Sequence, residues 1–369
     1  MKKLLALVIG MVMVLSLVGC GKSTTNSGTN ATVTKSATNE APTVAATGTA
    51  KTYDQTWTIK FAYTQGDMAR EDSAEITYAE LFKEKVEANS NGAIKVELYP
   101  SGQLGTAQEN VQGLIANNLE MACVNISLLN TVYKDTMLLS TPGLFNSEEE
   151  CDAVLAGDWG KNFFTEMEDG TGIKMLTAIS NGFRSFTTSN KELTTVDTAK
   201  GVKWRVMESP VSIKMVEALG AIPVPMSGSE MYTAMQNGTV DGQENPVINI
   251  LNDKTYEVQK YMVMDKHMAS IVTFIMSDKF YDTLPAELQQ VVLDTVATIT
   301  PESQKVIKTL NANGISKLEE LGMSIYIPTD SELQAWHDKV SAPCVEYIRG
   351  ELGNEIVDSL LSAIDTQRK

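Results

Sequence analysis

Between Trp57 and Ile126 the spacing of the apolar residues switches from two to three or four and back again, and this alternation limits the folds open to the chain. Trp57-Thr58-Ile59-Lys60-Phe61-Ala62-Tyr63 alternates apolar and polar side chains, which predicts a strand. Asp72 and Ser73 then offer helix caps, with Glu75 in the first turn. Tyr78, Leu81, Phe82 and Val86 follow at helical spacing until Asn89-Ser90-Asn91-Gly92 ends the helix. Ile94, Val96 and Leu98 alternate as a second strand, Pro100 to Gly105 reads as a loop, and Val111, Leu114 and Ile115 mark a second helix. Leu119 to Ile126 is almost continuously apolar, as a strand covered on both faces would be. This β-α-β-α-β order predicts a parallel sheet with helices on its faces. The pattern restarts with a strand at Val202–Val206, a helix at Val211–Leu219, a strand at Ala221–Pro225 and a helix at Glu230–Gln236, with Asp241-Gly242 in the exit loop. Two α/β units predict two lobes with a cleft between them. In open α/β sheets a ligand sits beyond the carboxyl ends of the strands.

The ends of the chain read differently. Lys2 and Lys3 precede an apolar run from Leu4 to Val18, and Leu17-Val18-Gly19-Cys20 closes it. This is a signal peptide rather than a membrane span. A cysteine directly after the small residue resembles the bacterial lipobox, which implies cleavage of residues 1–19 and lipidation of Cys20. The alternative is an ordinary signal peptide with an incidental cysteine. Residues 21 to 51 are rich in Ser, Thr, Asn, Gly and Ala and hold no aromatic residue. Such a stretch cannot offset its ordering entropy by burial. Residues 20–51 are therefore expected to form a flexible tether reaching roughly 30 Å.

Composition excludes several functions. The net charge is −16, and removal of Lys2 and Lys3 with the leader takes it to −18. No basic stripe exists for a nucleic acid to contact. Histidine occurs only as His267 and His337, which argues against a histidine-rich metal or catalytic centre. Hydrolase nucleophile elbows, zinc-protease helices, phosphate loops and EF-hand loops are all missing, so no enzyme, cofactor or metal site is expected. Cys123 lies in an apolar run and is expected to be a buried small hydrophobe. A Cys151–Cys344 bridge stays open.

Arginine is the informative residue. Of 30 basic residues only five are arginine: Arg70, Arg184, Arg205, Arg349 and Arg368. The planar guanidinium fork matches a carboxylate with two parallel hydrogen bonds, which lysine cannot do. Arg205 lies in a predicted strand and Arg184 follows the apolar run Ile173–Ile179 and the turn-like Asn181-Gly182, so both stand where a cleft is expected. Composition leaves open whether each pairs with a structural carboxylate or with one brought by a ligand. A protein this acidic repels anions at long range, so an anionic ligand needs a local, desolvated arginine.

The order of short motifs then carries a resemblance. Asn181-Gly182-Phe183-Arg184, Lys200-Gly201-Val202-Lys203-Trp204-Arg205-Val206, Leu219-Gly220-Ala221-Ile222-Pro223-Val224-Pro225-Met226 and Val240-Asp241-Gly242-Gln243-Glu244-Asn245-Pro246 follow one another. Leu98-Tyr99-Pro100-Ser101-Gly102-Gln103-Leu104-Gly105 precedes them. Together they resemble the solute-binding proteins of tripartite ATP-independent periplasmic (TRAP) transporters, over about residues 56 to 345. The resemblance implies a two-lobed, periplasmic-binding-protein-like α/β fold, with mixed sheets, helices on both faces, crossing strands and a long helix that Val247 to Tyr261 would begin or form. It implies lobes of 56–181 plus about 271–310 and of 182–270 plus about 311–369. It also implies capture of an organic acid, without chemistry, for a membrane permease, by a protein expected to be monomeric and extracytoplasmic. Arg205 matches the family's signature carboxylate-binding arginine, Arg184 its supporting arginine and Asn245 a ligand-bonding asparagine. Thr64 and Asn125 fall where relatives place variable contacts. Gly228 stands where relatives often carry an aromatic residue, and period-two alternation puts Trp204 on the face opposite Arg205. The missing ring and the polar Thr64 and Asn125 tilt the ligand toward a sugar acid such as a uronate over a C4-dicarboxylate or a keto acid. A ligand-sensing receptor subunit, and an enzyme acting on a small acid, are the alternatives.

Overall fold

The chain's own pattern of caps and alternation is realised element by element in the computed structural model, which describes residues 53–66 and 68–368. The leader, Cys20 and the tether lie outside the described residues. The first unit runs β1 (Trp57–Ala62), α1 (Ala74–Asn89), β2 (Ile94–Tyr99), α2 (Ala107–Ile115) and β3 (Met121–Asn125). Ser73 caps α1 by accepting from the Ile76 N–H, and Thr106 and Glu109 form a reciprocal capping box on α2. Next come α3 (Glu148–Ala156), α4 (Asp158–Thr171) and the long strand β4 (Ile173–Thr188). The second unit runs β5 (Lys203–Val206), α5 (Pro210–Ala218), β6 (Ile222–Pro225), α6 (Gly228–Gln236) and β7 (Gly242–Pro246). Then follow α7 (Val247–Asn252), β8 (Tyr261–Val263) and β9 (Met268–Ser277). The chain ends with α8 (Asp278–Tyr281), α9 (Ala286–Glu320), β10 (Ser324–Tyr326), α10 (Asp330–Leu352) and α11 (Asn354–Gln367).

The strands form one mixed sheet in the order β2-β1-β3-β9-β4-β7-β5-β6, with β8 against β4 and β10 against β8. Its two ends are parallel, β2 with β1 and β3 on one side, β7 with β5 and β6 on the other. Between them the antiparallel pairs β3–β9, β9–β4 and β4–β7 carry the chain across. The β4–β9 ladder slips between Ser180 and Phe183, where Gly182 takes a φ of 95°. The fold is a mixed α/β sheet of the two-lobe periplasmic-binding-protein type.

Alternation distributes the core. Along β3, Met121 and Cys123 join one apolar cluster with Ile59, Phe61, Phe82 and Phe274, while Ala122 and Val124 face a second with Leu114 and Leu129. The continuous apolar run is thus explained by helices on both faces. In β5 the same alternation sends Trp204 and Val206 into the second cluster and leaves Arg205 on the opposite face, as expected. Cys123, Cys151 and Cys344 are separate, buried free thiols, so no Cys151–Cys344 bridge forms.

One expectation is corrected. Val247–Tyr261 neither forms nor begins the long helix: α7 stops after six residues, Lys254 turns left-handed at a φ of 53°, and a single 3-10 turn leads into β8. The long helix is α9, 35 residues with Pro301 inside it. It packs on α1 near its start and on α7 near its end. Apolar burial along Leu288, Val292, Val296, Ile299, Ile307 and Leu318 holds it together past the proline.

Gly242 begins β7 where that strand meets both β4 and β5. A Cβ there would collide with the Thr187 carbonyl oxygen and crowd Trp204 Nε1 at 2.8 Å. Gly242→Ala is expected to lower stability by at least about 2 kcal/mol, read as a reduced urea midpoint; an unchanged midpoint would show that β7 has room to shift.

Candidate functional site

The carboxyl ends of four strands converge on a cavity of about 680 Å³. Thr64 arrives just beyond β1, Asn125 at the end of β3, Arg205 and Met207 at and beyond the end of β5, and Asn245 at the end of β7; Arg184 comes from β4. All five residues expected at a cleft therefore line one cavity. Their states differ.

Arg184 is buried and fully engaged. Its Nε and Nη2 donate to the Glu244 carboxylate, Nη2 to Oε1 at 3.0 Å, and Nη1 donates to Ser270 Oγ at 3.4 Å. Glu244 Oε2 meets His267 Nε2 at 3.3 Å, and His267 Nδ1 meets Asp265 Oδ2 at 2.8 Å. Asp265 Oδ1 accepts from the Phe186 N–H, which ties the chain of charges to β4. Burial alone would raise the Glu244 carboxyl, but Arg184 and His267 outweigh it and hold the group well below the usual carboxylate range. Burial alone would lower the His267 imidazole; Asp265 and Glu244 outweigh it and raise the ring to about 9. Arg184 is thus the end of a self-neutralising row, and its structural partner is Glu244.

Arg205 is different. It is only 5% exposed, its Nε and Nη2 both donate to the Met226 carbonyl at 3.1 and 2.9 Å, and among the described residues it makes no ion pair. Burial, and to a lesser degree Arg184, lower its pKa to about 10 against the pull of Glu244, Asp253 and Glu208. A cation held this way is uncompensated at short range, which is costly unless an anion arrives. Gly228 opens α6 beside it, where a Cβ would lie 3.9 Å from Arg205 Nη2. The glycine leaves the guanidinium uncovered, and the first turn of α6 presents its positive dipole end to the same space.

Asn125 accepts from the Ser127 N–H and donates to Ser270 Oγ at 3.0 Å, so Ser270 joins it to Arg184. Asn245 donates to Gln243 Oε1 at 2.6 Å. Thr64 is exposed at the wall. Trp204 takes no part: it is fully buried, donating to the Thr187 carbonyl. Sequence reasoning did not place Glu75, Asp253 or Tyr232 at the site. Tyr232, one turn after Gly228, brings a ring to the cavity and donates to Glu257 Oε2 at 2.7 Å. Glu75 was legible only as a first-turn acid, and Asp253 lay inside the segment expected to be helical.

With this geometry in hand, comparison with known proteins is direct. Residues 65–349 match the family described as bacterial extracellular solute-binding protein, family 7 (DctP). A solute-binding protein of Verminephrobacter eiseniae is 32% identical over 244 residues, 66% of this chain and 72% of the relative. The C4-dicarboxylate-binding periplasmic protein DctP of Rhodobacter capsulatus is 29% identical over 283 residues, 76% of this chain and 84% of the relative. Among solved structures, the sugar acid binding protein DctPAm of Advenella mimigardefordensis, in complex with galactonate, superposes with a TM-score of 0.80 at 29% identity over 85% of this chain and 99% of that one. The chain belongs to family 7 of the bacterial extracellular solute-binding proteins.

The raised His267 gives a pH signature. The folded state holds the His267 proton above the ordinary imidazole value of 6.5 and releases it near 9, so its contribution to stability is full below about 6.5 and is lost as pH rises toward 9. Urea midpoints should decline across that window in the native chain. A profile that stays flat there would mean that His267 is neutral in the fold.

Proposed function

We propose that this solute-binding protein captures an organic acid through a clamp centred on Arg205 and delivers it to the membrane subunits of a TRAP transporter. The observation that carries the reading is a buried guanidinium, free of any carboxylate partner among the described residues, at the wall of a polar cavity. Arg205 then receives the ligand carboxylate, while Arg184, already matched by Glu244, positions the wall and adds positive potential. Asn245, Asn125 and Thr64 contribute polar contacts from both sides of the cavity. Relatives support the ligand class: one is described as binding C4-dicarboxylates, another as binding 2,3-diketo-L-gulonate, and a third as binding sialic acid.

Closure is taken to occur about β4 and β9, with 56–181 plus about 271–310 forming one lobe and 182–270 plus about 311–369 the other. Cys20 carries the lipid, and residues 20–51 let a monomeric chain work just outside the membrane. The reading assigns no chemical step to the protein.

Arg205→Lys tests the clamp, because an ammonium cannot reproduce the two-pronged fork. Loss of a charged hydrogen bond costs about 1.5–3 kcal/mol, so affinity for the cognate acid should fall at least about tenfold. An affinity within about twofold of the native chain would remove Arg205 from the site. Thermal unfolding against a panel of organic acids and their amides names the class: a ligand at 100 times its dissociation constant adds about 2.7 kcal/mol, roughly 5–10 °C. Equal shifts for an acid and its amide would defeat the carboxylate clamp.

A further inference from the structure

Arg205 accounts for one end of a ligand; the acidic wall of the same cavity defines the rest of it. Glu75 is partly buried in the first turn of α1, lines the cavity, and among the described residues has neither a hydrogen-bond nor an ion-pair partner. Asp253, just past α7, lines the same cavity, and Gln65 Nε2 donates to its Oδ1 at 3.3 Å. Glu208 and Glu109 add two exposed carboxylates to the lining. Against these four acids stand two guanidiniums, one of them already neutralised by Glu244. Asn181, 5% exposed, lines the wall as well; its Nδ2 is given to Asn249 and, among the described residues, its Oδ1 has no donor.

The cavity therefore has one unmatched anion receptor and a surplus of unmatched acceptors. A C4-dicarboxylate is acceptor-only at both ends, so with its first carboxylate on Arg205 the second meets like charge at Glu75 and Asp253. A hydroxyl supplies a donor and an acceptor together. We propose that the ligand is a polyhydroxy monocarboxylate of the aldonic or uronic type, whose carboxylate meets Arg205 while a hydroxyl donates to Glu75, and that Glu75 with Asp253 excludes a second carboxylate. The proposal rests on the Arg205 reading.

Protonation behaviour agrees with the geometry. Burial, and then Asp253, raise the Glu75 carboxyl to about 7; burial raises Asp253 to about 6 against the pull of Gln65, Arg205 and Arg184. Near neutral pH such a pair holds part of a proton. A hydroxyl suits either state, since it donates to the ionised carboxyl and accepts from the protonated one. An ammonium, a donor only, suits the ionised carboxyl alone.

Calorimetric titration at about pH 7.5 of the purified chain, refolded from denaturant to release carried ligand, tests the assignment with a six-carbon aldonate, succinate and a neutral amino acid. The native chain should bind the aldonate at least about 100-fold more tightly than succinate. Glu75→Gln should weaken the aldonate and narrow that ratio at least about tenfold, because succinate no longer meets the charge. Asp253→Asn, from another element, should narrow it too, and stands in should Glu75→Gln not fold. A merely structural role would weaken both acids alike and overturns the proposal. Succinate bound as tightly as the aldonate, with both lost in Arg205→Lys, also overturns it and leaves the arginine clamp standing. Aldonate binding that Arg205→Lys leaves untouched overturns the clamp itself. Preference for the amino acid overturns the hydroxyl assignment.

Discussion

A guanidinium buried without a counter-ion is expensive, and the arrangement around Arg205 exists to hold one in place. The Met226 carbonyl accepts two of its donors and fixes the plane of the fork, while the remaining donor direction is left to the cavity. Arg184, nearby and equally buried, follows the opposite rule, with its charge cancelled by Glu244 and that carboxylate braced by His267 and Asp265. Neutralising one arginine limits the repulsion the other must bear. The row also keeps Glu244 from reaching over to Arg205 and closing the site with an internal ion pair.

The periodic elements were legible in the sequence because single-residue alternation and helical spacing are local. β1 to β3 and β5 to α6 fall where the patterns put them, and the opposed faces of Trp204 and Arg205 follow from the same rule. The long helix was not legible. Pro301 and Gly314 are poor helix formers, and packing against α1 and α7 carries α9 through them. The resemblance put the long helix at Val247 to Tyr261, yet Asn252-Asp253-Lys254 turns the chain away.

The site divides in the same manner. Its arginines stood out because arginine is rare here, and strand ends are where side chains of an α/β sheet meet a cleft. Whether either arginine had a carboxylate partner could not be read, since Glu244 approaches Arg184 across 60 residues. Glu75 and Asp253 come from separate elements and converge only through the fold. In a chain with 46 acidic residues no spacing rule singles them out. Holding two raised carboxyls on one wall destabilises the empty fold at neutral pH: the folded state retains protons that the unfolded chain releases between about 4 and 7. A receptor built this way gains from its ligand part of what its own fold forgoes.

The last two helices carry a different consequence. α10 packs on α5, while α11 returns to α3, and both belong to one apolar cluster that also contains Leu114, Val124, Trp204 and Met215. Two lobes with separate cores would each have a melting transition of its own. Here the chain's final 40 or so residues bind α3 and α5, which precede and follow β4, into one apolar core. A lost C-terminus should therefore loosen α3 and α5 together, although the long strand β4 separates them in the chain.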